Sequence, residues 1–310
     1  MAGAAAADGP AFTAVAGVDF TSRPRRAKPI TVALGRVEPL PPMGGDRGDG
    51  ATVAVRLESV ELHAGFDAFA AWLTTPGPWL GVFDLPFGLP RELVETLGWP
   101  LDWPALIEHY AGLTRREVRD TFAAFCAARP TGAKFAHRAC DGPAGSSPSM
   151  KWVNPPVAYM LHAGVPLLVE AGLHLPGVMP GQAAVGKGGQ APRVALEGYP
   201  GLLARELVGA VSYGMSYKSD DRRRQTSGRE QARQAIVDAL RAGRTRLAVR
   251  LEASSAQCRQ LVADPAGDVL DAVLCLVQAA WAAVRPGYGL PAGIDPLEGW
   301  IVSAGTDATP

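Results

Sequence analysis

The alternation of apolar and polar positions predicts an α/β chain that opens with strands. Residues 14–20, Ala-Val-Ala-Gly-Val-Asp-Phe, are apolar apart from one carboxylate, the pattern of a strand covered on both faces. Further strands are predicted at 30–37 and 52–60, with a Pro- and Gly-rich loop at 38–50 between them. Residues 66–73 carry apolar side chains at helical spacing and are closed by Pro76-Gly77-Pro78. The apolar strand Trp79–Asp84 follows, stopped by Pro86-Phe-Gly-Leu-Pro90.

From about 85 to 191 the pattern turns to helices and loops. Helices are predicted near 91–97, 103–109, 115–128 and 157–171, with Pro166 breaking or kinking the last. The Gly-rich stretch 177–192 is irregular. Residues 193–197 resume a strand, and Pro200 at a first helical position opens a helix over 201–208. A polar, Arg-rich helix is predicted over 221–242. The last helix, 267–284, is announced by Asp264-Pro265 as cap and first position, and it is apolar nearly all round, so it is expected to be buried. No internal repeat is visible. One domain over 13–302 is expected, with a disordered lead at 1–12, an insertion at about 85–191 and a flexible tail at 303–310.

Composition narrows the function. Thirty basic and thirty acidic side chains cancel, so no global positive field exists to coat a polyanion. The four cysteines form no Cys-x-x-Cys pair, which argues against a disulfide framework or a zinc ribbon. The Ala/Gly-rich start lacks a basic region followed by a sustained apolar run, and no run of about 18 apolar residues occurs. The chain is therefore expected to be cytoplasmic, with no membrane partner.

Against this low charge fraction, five acids stand out. Asp19, Asp84 and Glu197 each end an apolar strand, and in α/β sheets ligand groups gather at the carboxyl ends of strands. Asp268 and Asp271 lie three apart, and so on one face, at the start of the apolar last helix. Ionised carboxylates there need a partner or a cation. The strands themselves carry too few Lys or Arg to neutralise them, and hard oxygen ligands suit Mg²⁺ or Mn²⁺.

The segments "GVDFTS", "FDLPFGLPREL", "KFAHRACD", "VNPPVAYM", "ALEGYPG", "SYKSDD" and "GDVLDAVLCLVQAAW", in this order, resemble domain-of-unknown-function family 429, a group of predicted RNase H-like nucleases. The Asp268/Asp271 pair is similar to the final-helix acids of RuvC-type junction resolvases. The resemblance implies an RNase H-like mixed sheet, in which an antiparallel three-strand start is followed by parallel strands, with a helical insertion between the fourth and fifth. It further implies metal-dependent phosphodiester hydrolysis, in which Asp19 bridges two Mg²⁺ ions and Asp84 or Glu197, with Asp271, completes their shells. A nucleic acid or a nucleotide is the implied substrate. The same fold also hosts ATP-using phosphotransferases of the actin-like and sugar-kinase-like type, and a non-catalytic nucleic-acid-binding module is a third reading.

Basic groups flank these acids. Residues 218–246 hold nine basic side chains against four acidic ones, and Arg23, Arg25, Arg26 and Lys28 follow the first strand. Lys218 is the leading candidate for a phosphate contact, with a salt bridge to Asp220 or Asp221 as the alternative. Lys134, His137 and Arg138 in the insertion are candidates for a cap facing substrate. His137 and Cys140 lack a second ligand pair, so a zinc site is not expected. The run Gly181–Gly188 nearly matches a phosphate-cradling loop, but lacks its hydroxyl and a following helix.

Overall fold

The structure, a computed structural model, describes residues 12–40, 53–179, 191–209 and 216–305. The near-match at 181–188 and the N-terminal lead through residue 11 lie outside the described residues. The elements run β1 (Ala14–Asp19), β2 (Ile30–Pro39), β3 (Val53–His63), α1 (Phe66–Leu73), β4 (Trp79–Asp84), α2 (Arg91–Thr96), α3 (Trp103–Gly112), α4 (Arg115–Ala127), α5 (Asp141–Ala144), α6 (Val157–Glu170), β5 (Arg193–Glu197), α7 (Pro200–Gly209), α8 (Ser227–Arg241), β6 (Val249–Glu252), α9 (Ser255–Ala263) and α10 (Asp268–Ala283).

The strands form one six-stranded sheet in the order β5-β4-β1-β2-β3-β6. β1, β2 and β3 pair antiparallel; β4 joins β1, β5 joins β4 and β6 joins β3 in parallel. The expected mixed α/β sheet, with its antiparallel start and helical insertion between β4 and β5, is therefore present. Strand β6 and helix α9 extend it beyond the sequence reading.

Side chains alternate across the sheet, and the two faces bury separate cores. Val15, Leu80, Val82 and Leu196 pack with α7–α10 on one face; Ala16, Val18, Phe83 and Ala195 pack with α1 and the insertion on the other. Helix α10 lies directly on the sheet. At Gly17 an added Cβ would sit 2.0 Å from Ala272 O and 2.1 Å from Leu276 N, so only glycine lets the helix backbone approach β1 this closely.

Three boundaries differ from the sequence pattern. The Arg-rich segment opens as a single tight turn, Arg222–Arg224, and becomes α8 only after Thr226, whose hydroxyl accepts from Arg229 N–H at 3.3 Å. Helix α10 starts at Asp268, because Gly267 takes a left-handed φ of 77° as its N-cap. Asp264 still serves this terminus, accepting from Ala266 N–H at 3.1 Å and Val269 N–H at 3.0 Å. Ser303 and Ala304, expected in a flexible tail, are buried, and residues 306–310 lie outside the described set.

Candidate active site

Strand parity decides which acids can meet. Asp19 and Asp84 are direct register partners at the carboxyl ends of neighbouring parallel strands. Each shares parity with residues packed against α10, Asp19 with Gly17 and Asp84 with Val82. Both therefore point to the α10 face, where Asp268 and Asp271 sit in the first turn of the helix. The positive end of the helix dipole favours carboxylates at that terminus. Four of the five candidate acids are thus brought together.

The cations that balance them come from loops rather than strands. The turn 25–28 is closed by reciprocal backbone bonds between Arg25 and Lys28, of 3.0 and 2.9 Å, and it carries Lys28 over the site. Lys28 Nζ donates to Asp268 Oδ1 at 2.8 Å and to Asp220 Oδ1 at 2.9 Å. Burial works against the Lys28 charge, but these bonds outweigh it and hold the ammonium well above its ordinary pKa. Lys218 Nζ and Tyr217 OH both donate to Asp271, which is fully buried. The 216–225 segment is pinned there by Ser219 N–H and Gln225 Nε2, which donate to Pro265 O at 3.1 and 2.9 Å. The expected neutralisation by metal alone is corrected accordingly: two lysines already pair with the two α10 acids, and the partner of Lys218 is Asp271, not Asp220 or Asp221.

Asp19 and Asp84 are left without such partners: among the described residues, neither carboxylate makes a hydrogen bond or an ion pair. Burial pushes Asp19 well above the usual carboxylate range, and the charges of Asp271 and Asp268 add to this. Asp84 is pushed up to about 7, first by burial; Lys218 opposes the rise and Asp271 and Glu197 add to it. Thr31, opposite Asp19 in the β1–β2 register, keeps a buried hydroxyl with no hydrogen-bond partner among the described residues.

Glu197 does not join this group. Its register partner is Phe83, so it has the parity of the opposite face; residue 198, a glycine, is the one level with Asp84. Arg138 Nη2 and Nη1 donate to the two Glu197 oxygens at 2.7 and 2.8 Å, and Phe87 N–H donates to Oε2 at 2.9 Å. Arg138 also binds Asp141 Oδ1 at 3.0 Å and the Glu298 carbonyl at 3.0 Å. Arg138 is 3% exposed, and although burial opposes its charge, Glu197 holds it on. Arg138 is thus a buried anchor rather than a cap facing substrate. Lys134 and His137 are exposed and do not line the cleft described next.

Asp19, Asp84 and Asp268 open into a cleft of about 840 Å³. Its floor holds Asp19 and Asp84, Lys28 and Lys218 stand at one side, and residues at the start of α6 and along α7, mostly apolar but with Arg205 among them, form much of the opposite wall. A smaller recess leads on toward Arg138 and Glu197, lined also by Ser146 and Ser147. Arg23, Arg25, Arg26, Arg223 and Arg224 are exposed on the two loops that the Lys28–Asp220 pair ties together.

Comparison with protein families, curated proteins and solved structures finds no match.

The donor set fits a hard divalent cation. Two adjacent carboxylates without proton donors, facing a cleft, have the charge and the oxygen chemistry that Mg²⁺ or Mn²⁺ requires. Among the described residues no three His, Cys, Asp or Glu side chains are already gathered as a ligand cage. Sequence reading missed Tyr217 and the Lys28–Asp268 pair. Lys28 stood out only as one of four clustered cations, and nothing local signalled that it would reach a helix 240 residues away.

Proposed function

We propose that the protein is a Mg²⁺- or Mn²⁺-dependent phosphodiester hydrolase acting on nucleic acid or nucleotides. The observation that carries this reading is the Asp19–Asp84 pair: Asp19 buried and Asp84 half-buried, in register on adjacent parallel strands, and with no hydrogen-bond or ion-pair partner among the described residues. The strand order β5-β4-β1-β2-β3, with acids closing β1 and β4 and opening the last helix, supports the RNase H-like assignment that the sequence resemblance implies. Strand β6 is then an addition beyond β3.

Asp19 and Asp84 would hold the cation, with Asp268 and Asp271 within reach once their lysines turn to substrate. A bound divalent cation there supplies Lewis acidity and a water of lowered pKa. The chain supplies the remaining parts. Lys28 and Lys218 place positive charge where phosphate oxygens would lie, and such contacts position a substrate without reading sequence. Tyr217 keeps Asp271 fixed, and Asp271 in turn orients Lys218. Gly17 lets α10 sit low enough to bring its acids to the ends of β1 and β4.

Titration calorimetry with Mn²⁺ and cleavage of end-labelled oligonucleotides test the assignment. The expected result is Mn²⁺ binding, with cleavage falling at least about 100-fold in Asp19→Asn and in Asp84→Asn, as loss of a positioned charge in a catalytic site entails. Unchanged cleavage in Asp19→Asn, or wild-type protein that takes up no Mn²⁺, would sink it.

A further inference from the structure

The cleft above the acids has two chemically different halves. At the acidic end, Lys28 and Lys218 face the floor carboxylates, a setting for phosphate and a cation. The other half has almost no charge. Pro155, Val157 and Met160 line it from the start of α6, and Ala204 and Val208 from α7. Tyr199 lies beside them, its ring 5.1 Å from the Arg205 guanidinium, which also donates to its hydroxyl at 2.9 Å. The apolar half is therefore built by two elements that do not belong to the catalytic floor: the insertion and the helix after β5.

Phosphodiester chemistry alone does not call for such a wall. A hydrolase reading only a backbone needs cations and a metal, and contacts to phosphate and sugar suffice. An apolar wall beside a phosphate site suits a ligand in which a flat, weakly polar group lies next to a phosphate. In nucleic acid that group is the base, and it is available only when it is neither paired nor stacked. Apolar and aromatic side chains receive such bases with little regard to sequence, and the polarisable Met160 sulfur suits contact with an aromatic ring. The volume, about 840 Å³, lies in the range of single small-molecule sites.

We infer that the cleft takes one unpaired nucleoside, its base against the α6–α7 wall and its attached phosphate between Lys28 and Lys218 above Asp19 and Asp84. This rests on the hydrolase reading for the phosphate end, and it names the substrate class as single-stranded or terminal nucleotides rather than continuous duplex. A free nucleotide and the end of a strand offer the same chemistry to the cleft.

Fluorescence polarisation on the full chain, with Ca²⁺ in place of Mg²⁺, tests it. The probes are a labelled single-stranded decamer, a blunt hairpin of the same sequence and a sugar-phosphate decamer without bases; a nucleoside 5′-monophosphate serves as competitor. The single strand should bind about tenfold or more tightly than either other probe, as the contribution of one stacked base predicts. Met160→Gln and Val157→Asn, which make the apolar wall polar at two positions, should erase that gap while Mn²⁺ binding by calorimetry persists. Competition by the monophosphate assigns the free nucleotide as a ligand, and its failure assigns the strand. Equal binding of strand and hairpin, or a gap that survives both substitutions, overturns the inference. A wild-type protein that shows the gap but takes up no Mn²⁺ supports the base site and fails the hydrolase reading instead.

Discussion

Asp84 is held near neutrality by burial, and that has a measurable cost. Its pKa is pushed up to about 7 in the folded chain, against about 3.9 when unfolded. Below pH 4 the group is protonated in both states and exerts no penalty. Between pH 4 and 7 the folded state keeps a proton that the unfolded state releases, so stability falls as pH rises, and above 7 the loss is complete. Asp19 acts in the same direction. In metal-free protein Asp84→Asn should therefore melt higher than wild type, with an advantage that grows from pH 4 to pH 7 and then levels, reaching at most about 4 kcal/mol. Scanning calorimetry across pH 4–9 checks this; an advantage that shrinks as pH rises would contradict it.

These two acids were legible because each ends a short, fully apolar strand, where a carboxylate has no local excuse. Glu197 has the same local signature and a different role. Whether a strand-end residue points up or down depends on register, and register is a property of the pairing between β4 and β5, not of either segment. The partners of Asp268 and Asp271 were hidden for a related reason: Lys28 and Lys218 reach them from loops far away along the chain.

At the scale of elements, the site depends on how low α10 rides on β1. The backbone contact at Gly17 fixes that height. Gly17→Ala places a methyl where the carbonyl of Ala272 and the amide of Leu276 already lie, and backbone yields less readily than a side-chain tip. The variant should lose about 1–3 kcal/mol of stability by overpacking. Because α10 must lift, its affinity for Mn²⁺ should fall in the same protein at temperatures where it is still folded. Chemical denaturation and calorimetry on one preparation measure both; a destabilised variant with wild-type Mn²⁺ affinity would detach the helix from the site. The strong elements, β1, β4 and α10, were readable from long apolar runs. Strand β6 was not: Val-Arg-Leu-Glu offers two apolar positions, and its partner β3 lies some 200 residues earlier. The boundaries of α8 and α10 shifted because a capping hydroxyl at Thr226 and a left-handed Gly267, rather than the hydrophobic pattern, set where each helix begins.

Over the whole molecule, zero net charge conceals a division of labour: acids at the floor of the cleft, lysines beside them, and exposed arginines on the two loops at 23–26 and 223–224. No helix among the described residues is long and apolar enough to cross a membrane. The C-terminal segment closes the sheet. Ile301 bridges to Glu197, Val302 N–H donates to Glu197 O at 2.8 Å, and Leu89 N–H donates to Leu297 O at 2.9 Å. A chain ended at Gly293 should therefore lose more than about 4 kcal/mol, since it removes buried Leu297, Ile301 and Val302 and uncovers β5. Circular dichroism melts would show this as a broadened or absent transition; an unaltered melt would mean that the edge needs no cover.

The buried Arg138 group joins three distant parts of the chain: the insertion, β5 and the C-terminal segment. Replacing Arg138 strands two carboxylates in a dry interior, at about 3–5 kcal/mol, whereas exchanging the whole Arg138–Asp141–Glu197 group for well-packed apolar residues can be close to neutral. The consequence is historical as much as energetic. Single steps away from this arrangement are blocked and joint steps are open, so these positions should change together among descendants of this chain or not at all. The exposed lysine and histidine at 134 and 137, four residues and one residue before Arg138, are free to drift.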